Sequence, residues 1–322
     1  MTTGIIYSPE CLAYTAPPDT PDRVLKTVEY FQSQGMDEFT APREYDEKYI
    51  RAVHTDEYMN RVGTVCRVMA TGLECTHIRL SVDSCLTAGE LMSEGEISNA
   101  FVLCRPPGHH SYADAGGGFC YFNNAAVLAR YLQKQGFNRI MIVDWDAHHG
   151  NGTEAIFYED PSVLYASIHQ HPLYPGTGEM TDTGAGPGEG YTLNIPVPSG
   201  TGHDTYMTIF REILVPIGKS FRPDALIISA GQDSQRDDPL AQLRLCPVSY
   251  HLMTERLIHD VCQRTIAVLE GGYNPDNNAL AHHAIVSALM GRTNYDAPEF
   301  NVEPDHARTA VRQAKEVLAE YW

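Results

Sequence analysis

Residues Ile140–Gly152 read IMIVDWDAHHGNG. The apolar run Ile140 to Val143 passes directly into Asp144, Asp146, His148 and His149, with glycines behind them. Short apolar runs bounded by turn residues mark buried strands. Carboxylates and imidazoles are costly to desolvate unless they are paired or bind a metal. A buried strand that ends in such a cluster therefore points to chemistry. If the chain stays extended from Asp144 to His148, alternate side chains share a face, and Asp146 and His148 point the same way. One carboxylate and one imidazole at that spacing make half of a metal site.

The rest of the chain alternates strand-like and helix-like stretches. Strands are expected at Gly4–Tyr7, Asn99–Cys104, Arg139–Val143, Val163–Ile168, Tyr191–Val197, Asp224–Ser229 and Thr265–Leu269. Helices are expected from Pro21 to Gln34, Asp56 to Met69, Ser81 to Glu94, Asn123 to Gln135, His203 to Phe221, Pro247 to Cys262, Asp276 to Met290 and Pro304 to Glu320. Such alternation predicts an α/β fold, one parallel sheet flanked by helices on both faces. No repeat or linker interrupts it, so residues 1–322 read as a single domain.

Four of these strands open into loops rich in reactive side chains. Cys104 leads to His109-His110, Val143 to Asp144, Asp146 and His148, Ser229 to Asp233, and Leu269 to Tyr273. In open α/β sheets ligands bind at the carboxyl ends of the strands, so topology gathers these loops at one edge. Asp146, His148 and Asp233 then supply three O/N ligands, the number that a catalytic zinc site uses while keeping positions open. His109 and His110 provide a general base and its neighbour. Tyr273 offers a hydroxyl to a developing oxyanion, and Asp144 and Asn151 are placed to orient the imidazoles. These parts suit metal-assisted hydrolysis of an amide. The glycine-rich Ala115–Phe119 is not a phosphate cradle, because it follows no strand and lacks the G-x-G-x-x-G spacing; close approach of backbone to a ligand is the better use.

Composition narrows the alternatives. With 23 basic residues against 41 acidic ones, a net charge of −18 argues against direct nucleic-acid binding and favours approach of cationic substrates. The eight cysteines include no CxxC pair and predict neither a disulfide framework nor a cysteine-rich zinc module. No stretch reaches the roughly 20 apolar residues of a membrane span, and no signal-peptide pattern is present. A cytoplasmic enzyme is expected; a homo-oligomer stays open.

The motifs RPPGHH (Arg105–His110), GFCYFNN (Gly118–Asn124), DWDAHHGNGT (Asp144–Thr153), YPGTG (Tyr174–Gly178), SAGQD…DDPL (Ser229–Leu240) and LEGGYN (Leu269–Asn274) occur in this order. The chain thereby resembles the zinc-dependent histone deacetylases and acetylpolyamine amidohydrolases over roughly residues 80–290, with Asn151 similar to the class II branch. The resemblance implies the arginase/deacetylase fold. It implies zinc on Asp146, His148 and Asp233, the tandem pair His109 and His110 with His110 as general base, and Tyr273 as carbonyl polariser. It further implies a substrate tunnel of Gly118, Phe119, Tyr174 and Leu240, with the Gly118 carbonyl accepting the substrate amide. A structural potassium ion is implied at Asp144, Asp146, His148, Ser167 and Ile168.

Two departures stand out. The family's N-terminal His-Pro-Glu-x-Pro-x-Arg is replaced by Pro18-Asp19-Thr20-Pro21-Asp22-Arg23, which lacks the His and Glu, and Gln232 stands where class II members usually carry Phe. Both bear on substrate choice. The expected substrate is acetyl-lysine in a peptide or protein, because Leu240 occupies the place where a polyamine-specific branch has Glu. An acetylated polyamine is the alternative. An arginase-type site with two manganese ions needs paired acids that Asp233-Ser234-Gln235 does not supply. A silent acetyl-lysine-binding module predicts loss of Tyr273, a histidine or a ligand, and none is lost.

Overall fold

The apolar runs become seven strands in a computed structural model that describes residues 2–66, 74–293 and 305–322. They are β1 (Thr3–Ile6), β2 (Asn99–Val102), β3 (Ile140–Asp144), β4 (Val163–Gln170), β5 (Thr192–Val197), β6 (Ala225–Ala230) and β7 (Thr265–Leu269). All neighbours run parallel, in the order β1-β2-β7-β6-β3-β4-β5. Parallel strands require crossovers. These contain α1 (Asp22–Ser33), α2 (Asp56–Cys66), α3 (Cys75–Ser93), α4 (Asn124–Lys134), α5 (Asn151–Phe157), α6 (His203–Ile209), α7 (Val215–Phe221) and α8 (Pro247–Asp260), and α9 (Pro275–Leu289) and α10 (Asp305–Leu318) follow β7.

Period-two alternation divides the interior. Met141 and Val143 of β3 join a core with Leu226 and Ile228 of β6, Leu257 of α8 and Ile285 of α9. Ile140 and Ile142 face the other way, into a core with Ile227, Val268 and the α4 residues Leu128 and Leu132. Burial on both faces explains why β3 reads as an unbroken apolar run. Helix starts follow capping chemistry. The Asn123 side chain accepts the Ala126 N–H at the head of α4, and Asn274 does the same for Asn277 at the head of α9, where Pro275 takes the first turn.

The expected parallel α/β sheet is present, and most elements fall within a few residues of their expected ends. One helix differs in kind: His203–Phe221 is helical throughout, but Phe210–Leu214 between α6 and α7 is a π-helical stretch. Helix α5 was not expected, because its Asn-Gly start reads as loop. The expected end of α2 near Met69 and the start at Pro304 lie outside the described residues. Among the described residues no helix is long and apolar enough to cross a membrane.

Candidate active site

The four strands with reactive loops, β2, β7, β6 and β3, are consecutive in the sheet. Their carboxyl ends therefore deliver all of the singled-out side chains to one place. Beyond Asp144 the chain leaves the sheet, so Asp146 and His148 do not converge by strand alternation as the extended reading expects. They converge through turns: the Asp144 carboxylate accepts the Asp146 N–H at 3.1 Å, and Asp146 accepts the His148 N–H at 2.9 Å. Asx turns of this kind re-aim side chains within two residues.

His148 Nδ1 lies 3.1 Å from Asp146 Oδ1 and 3.0 Å from Asp233 Oδ2. One ligand atom from each of the three residues lies within 4.8 Å of the others, and all three side chains are buried. Asp146 also accepts the Gly271 N–H, and Asp233 the Ala147 N–H, each at 2.8 Å. Burial and the Asp146 charge push the Asp233 carboxyl up. Burial opposes a charged His148, yet the two carboxylates outweigh it and push its imidazole up to about 11. Two buried carboxylates that face each other call for a cation. This donor set fits one divalent ion taking oxygen and nitrogen ligands.

The tandem histidines are held differently from each other. His109 Nδ1 is 3.0 Å from Asp144 Oδ2, and His110 Nδ1 is 2.7 Å from Asn151 Oδ1. Their rings pack against each other at a tilt of 42°, with centroids 4.0 Å apart. Against burial, Asp146 and Asp144 push His109 up to about 10. Burial and the charge of His109 hold His110 well below the usual imidazole range. The carboxylates beside His109 thus favour its charged form, while burial favours the neutral form of His110.

Above them a cavity of about 440 Å³ is lined by His110, Gly118, Phe119, His148, Leu173, Tyr174, Leu240 and Tyr273. All four expected tunnel residues line it, together with Leu173, which the sequence reading omits. Gly118 (φ 52°) is the close-approach glycine: a Cβ there would sit 2.1 Å from His110 Cδ2. Burial keeps the Tyr273 phenol well above its ordinary range, with Arg23 opposing, so the hydroxyl remains a donor. At the expected potassium site, Asp144 and Ser167 are register partners across β3 and β4. The Ser167 hydroxyl is 2.9 Å from His169 Nδ1.

Residues 17–289 match the family model described as a histone deacetylase domain. The chain belongs to the histone deacetylase family. A "probable deacetylase" of Archaeoglobus fulgidus is 39% identical, aligned over 90% of this chain and 87% of that one. Histone deacetylase 15 of Arabidopsis thaliana is 34% identical over 95% of this chain, which spans only 58% of it. A crystal structure of the HDA15 HD domain superposes with a TM-score of 0.94 at 32% identity, covering 100% of this chain and 97% of that one. The fold is thus that of the histone deacetylases.

Within this family fold, several buried residues of the quoted stretches have roles that the motifs alone do not assign. The fully buried Glu270 accepts the N–H groups of Gly108 (2.7 Å) and His109 (3.1 Å), so it fixes the turn that carries the histidines. The altered N-terminal loop keeps a carboxylate: Asp19 is buried against Arg23 (2.6 Å), Arg105 (2.7 Å) and the Tyr14 hydroxyl (2.8 Å). Arg23 in turn donates to the Gly272 carbonyl at 2.5 Å and stacks on the Tyr273 ring at 4.8 Å. Gln232 does not line the cavity; its amide oxygen is 2.7 Å from His282 Nε2, beneath α9. Short carboxylate and amide side chains in loops look like turn formers, and only their long-range partners show otherwise.

Proposed function

We propose that this chain is a zinc-dependent amidohydrolase that removes the acetyl group from acetyl-lysine in a peptide or protein. The observation that carries the reading is one cavity lined by His110, His148 and Tyr273 together. A base, a ligand of the Asp146–His148–Asp233 trio and an oxyanion donor thereby face the same small volume. When bound to that trio, zinc would supply Lewis acidity to a carbonyl oxygen and to water.

The protein's own residues take the remaining roles. Uncharged His110, oriented by Asn151, accepts the proton of the attacking water. His109, charged and anchored on Asp144, stabilises negative charge developing beside it. The Tyr273 hydroxyl donates to the carbonyl oxygen, and the proton taken up by His110 leaves on the amine. Phe119, Tyr174 and Leu240 hold an aliphatic stem, while the Gly118 carbonyl fixes the amide direction. A monovalent potassium ion at Asp144, Asp146, His148, Ser167 and Ile168 belongs to this reading through the family likeness alone. We read residues 1–322 as one catalytic domain acting in the cytoplasm.

Among the described residues the cavity lining contains no carboxylate. A second ammonium, as in an acetylated polyamine, finds no counter-charge there, which favours lysine over polyamine. The test is a side-by-side kcat/KM for an acetyl-lysine peptide and acetylated polyamines, on chelated and on zinc-restored protein. Chelation should abolish hydrolysis and zinc should restore it. Activity in metal-free protein would sink the mechanism. A preference for polyamines above about 100-fold, roughly 2.7 kcal/mol, would overturn the substrate.

A further inference from the structure

Asp238 lies outside the metal trio and does not line the cavity, yet it is 7% exposed in the loop between β6 and α8. One carboxylate oxygen accepts the Tyr273 N–H at 2.6 Å, and the other accepts the Leu240 N–H at 2.9 Å. Both bonds are shielded from water, where a low local dielectric strengthens them. Two further bonds fasten the same segments: Asn274 donates to the Asp237 carbonyl at 3.1 Å, and Asn277 to the Arg236 carbonyl at 2.9 Å. Asp237 itself adopts φ 67°, a conformation that persists only where its surroundings hold it. Arg23 secures the other side of the tyrosine through its ring and the Gly272 carbonyl.

We propose that Asp238 is a positioning residue, whose carboxylate sets the main chain of Tyr273 so that its hydroxyl meets the substrate carbonyl. The same carboxylate holds Leu240, so the apolar wall and the oxyanion donor move as one unit. A substrate stem that displaces Leu240 is thereby felt at Tyr273. This rests on the role given to Tyr273 above and adds a residue that the six family-like motifs do not single out for chemistry. Misplacement of a reacting group by about 1 Å costs on the order of 10²-fold in rate, so loss of this carboxylate should act on kcat and leave KM nearly unchanged.

A double-mutant cycle on zinc-loaded protein, with an acetyl-lysine peptide as substrate, tests this. Asp238→Ala should lower kcat about 10²-fold with KM within a few-fold. Combined with Tyr273→Phe it should be no slower than Tyr273→Phe alone, because a hydroxyl that is absent cannot be misplaced. Asp238→Asn retains one acceptor oxygen, should fall between the two, and carries the same cycle if the alanine variant does not fold. Zinc content and the melting transition are measured on each variant. Losses that multiply in the double variants, or an unchanged kcat in Asp238→Asn and Asp238→Ala, would overturn the assignment while leaving the catalytic reading intact. An unchanged rate in Tyr273→Phe alone would remove the hydroxyl's role, and both readings with it.

Discussion

Two buried charge clusters lie close together in this molecule and are built on opposite principles. Around Asp19 every donor has an acceptor. Arg105 reaches the Asp19 carboxylate at 2.7 Å and the Cys11 and Asp19 carbonyls at 2.8 and 2.5 Å, while Arg23 reaches Asp19, Gly272 and the Glu270 carbonyl. Around Asp146, acceptors crowd together: Asp144, Asp146 and Asp233 share a few imidazoles and backbone N–H groups. The first cluster is complete without any addition. The second is arranged for a cation. Burial of charge alone therefore does not mark a site; an excess of convergent acceptors does.

That contrast can be broken at several points. Asp19→Ala strands two buried guanidinium groups and should cost on the order of 3–5 kcal/mol in urea unfolding. Asp233→Asn should leave the metal-free protein at least as stable as the parent. A loss below about 1 kcal/mol for Asp19→Ala would erase the distinction. Zinc tests the second cluster directly: at a thousand times its Kd it should stabilise the parent by about 4 kcal/mol and leave Asp146→Asn unmoved. An equal response of both would place the ion elsewhere.

Acid should sharpen the contrast from a third direction. His54 is buried, and its Nε2 accepts the Asn123 N–H at 2.9 Å, so it must stay neutral. Burial lowers it from 6.5 to about 4, and burial with the Arg23 charge lowers His282 to about 3. Because these folded values are depressed, the unfolded chain protonates first. The stability is intact above pH 6.5 and falls as pH drops toward 4, by on the order of 3 kcal/mol for His54 alone. Denaturant titrations at pH 7 and 4.5 should show a smaller difference in His54→Gln; an equal difference would assign the acid sensitivity to other groups. The smallest effect is expected at the cavity wall, where Leu240→Glu should shift the kcat/KM ratio toward acetylated polyamines about tenfold, or 1.4 kcal/mol. No shift would detach Leu240 from substrate choice.

How much of this was legible beforehand follows from range. Ile140–Val143 and Thr265–Leu269 announce themselves as strands because burial on both faces demands unbroken apolar runs. The reactive loops were visible because each follows such a run. The order that makes β2, β7, β6 and β3 adjacent was not legible, since no residue in a strand names its neighbour. Asp146 and His148 were paired correctly for a mistaken reason: Asx turns, which the extended reading ignores, bring them together. The roles of Glu270, Asp238 and Asp19 were passed over because a decisive partner of each lies far away in sequence, as with Gly108, Tyr273 and Arg105 respectively. Helix α5 hid behind the glycines of the motif itself.

The position of β7 also has a consequence for how the chain is made. Among the described residues, the last strand in sequence is the one that joins β1-β2 to β6-β3-β4-β5. Until residue 269 has been synthesised, the sheet exists as two separate pieces, and the histidine turn has neither Glu270 nor Tyr273 beside it. A nascent chain therefore completes this cluster only once residues 265–273 have emerged, in one closing step of long sequence separation.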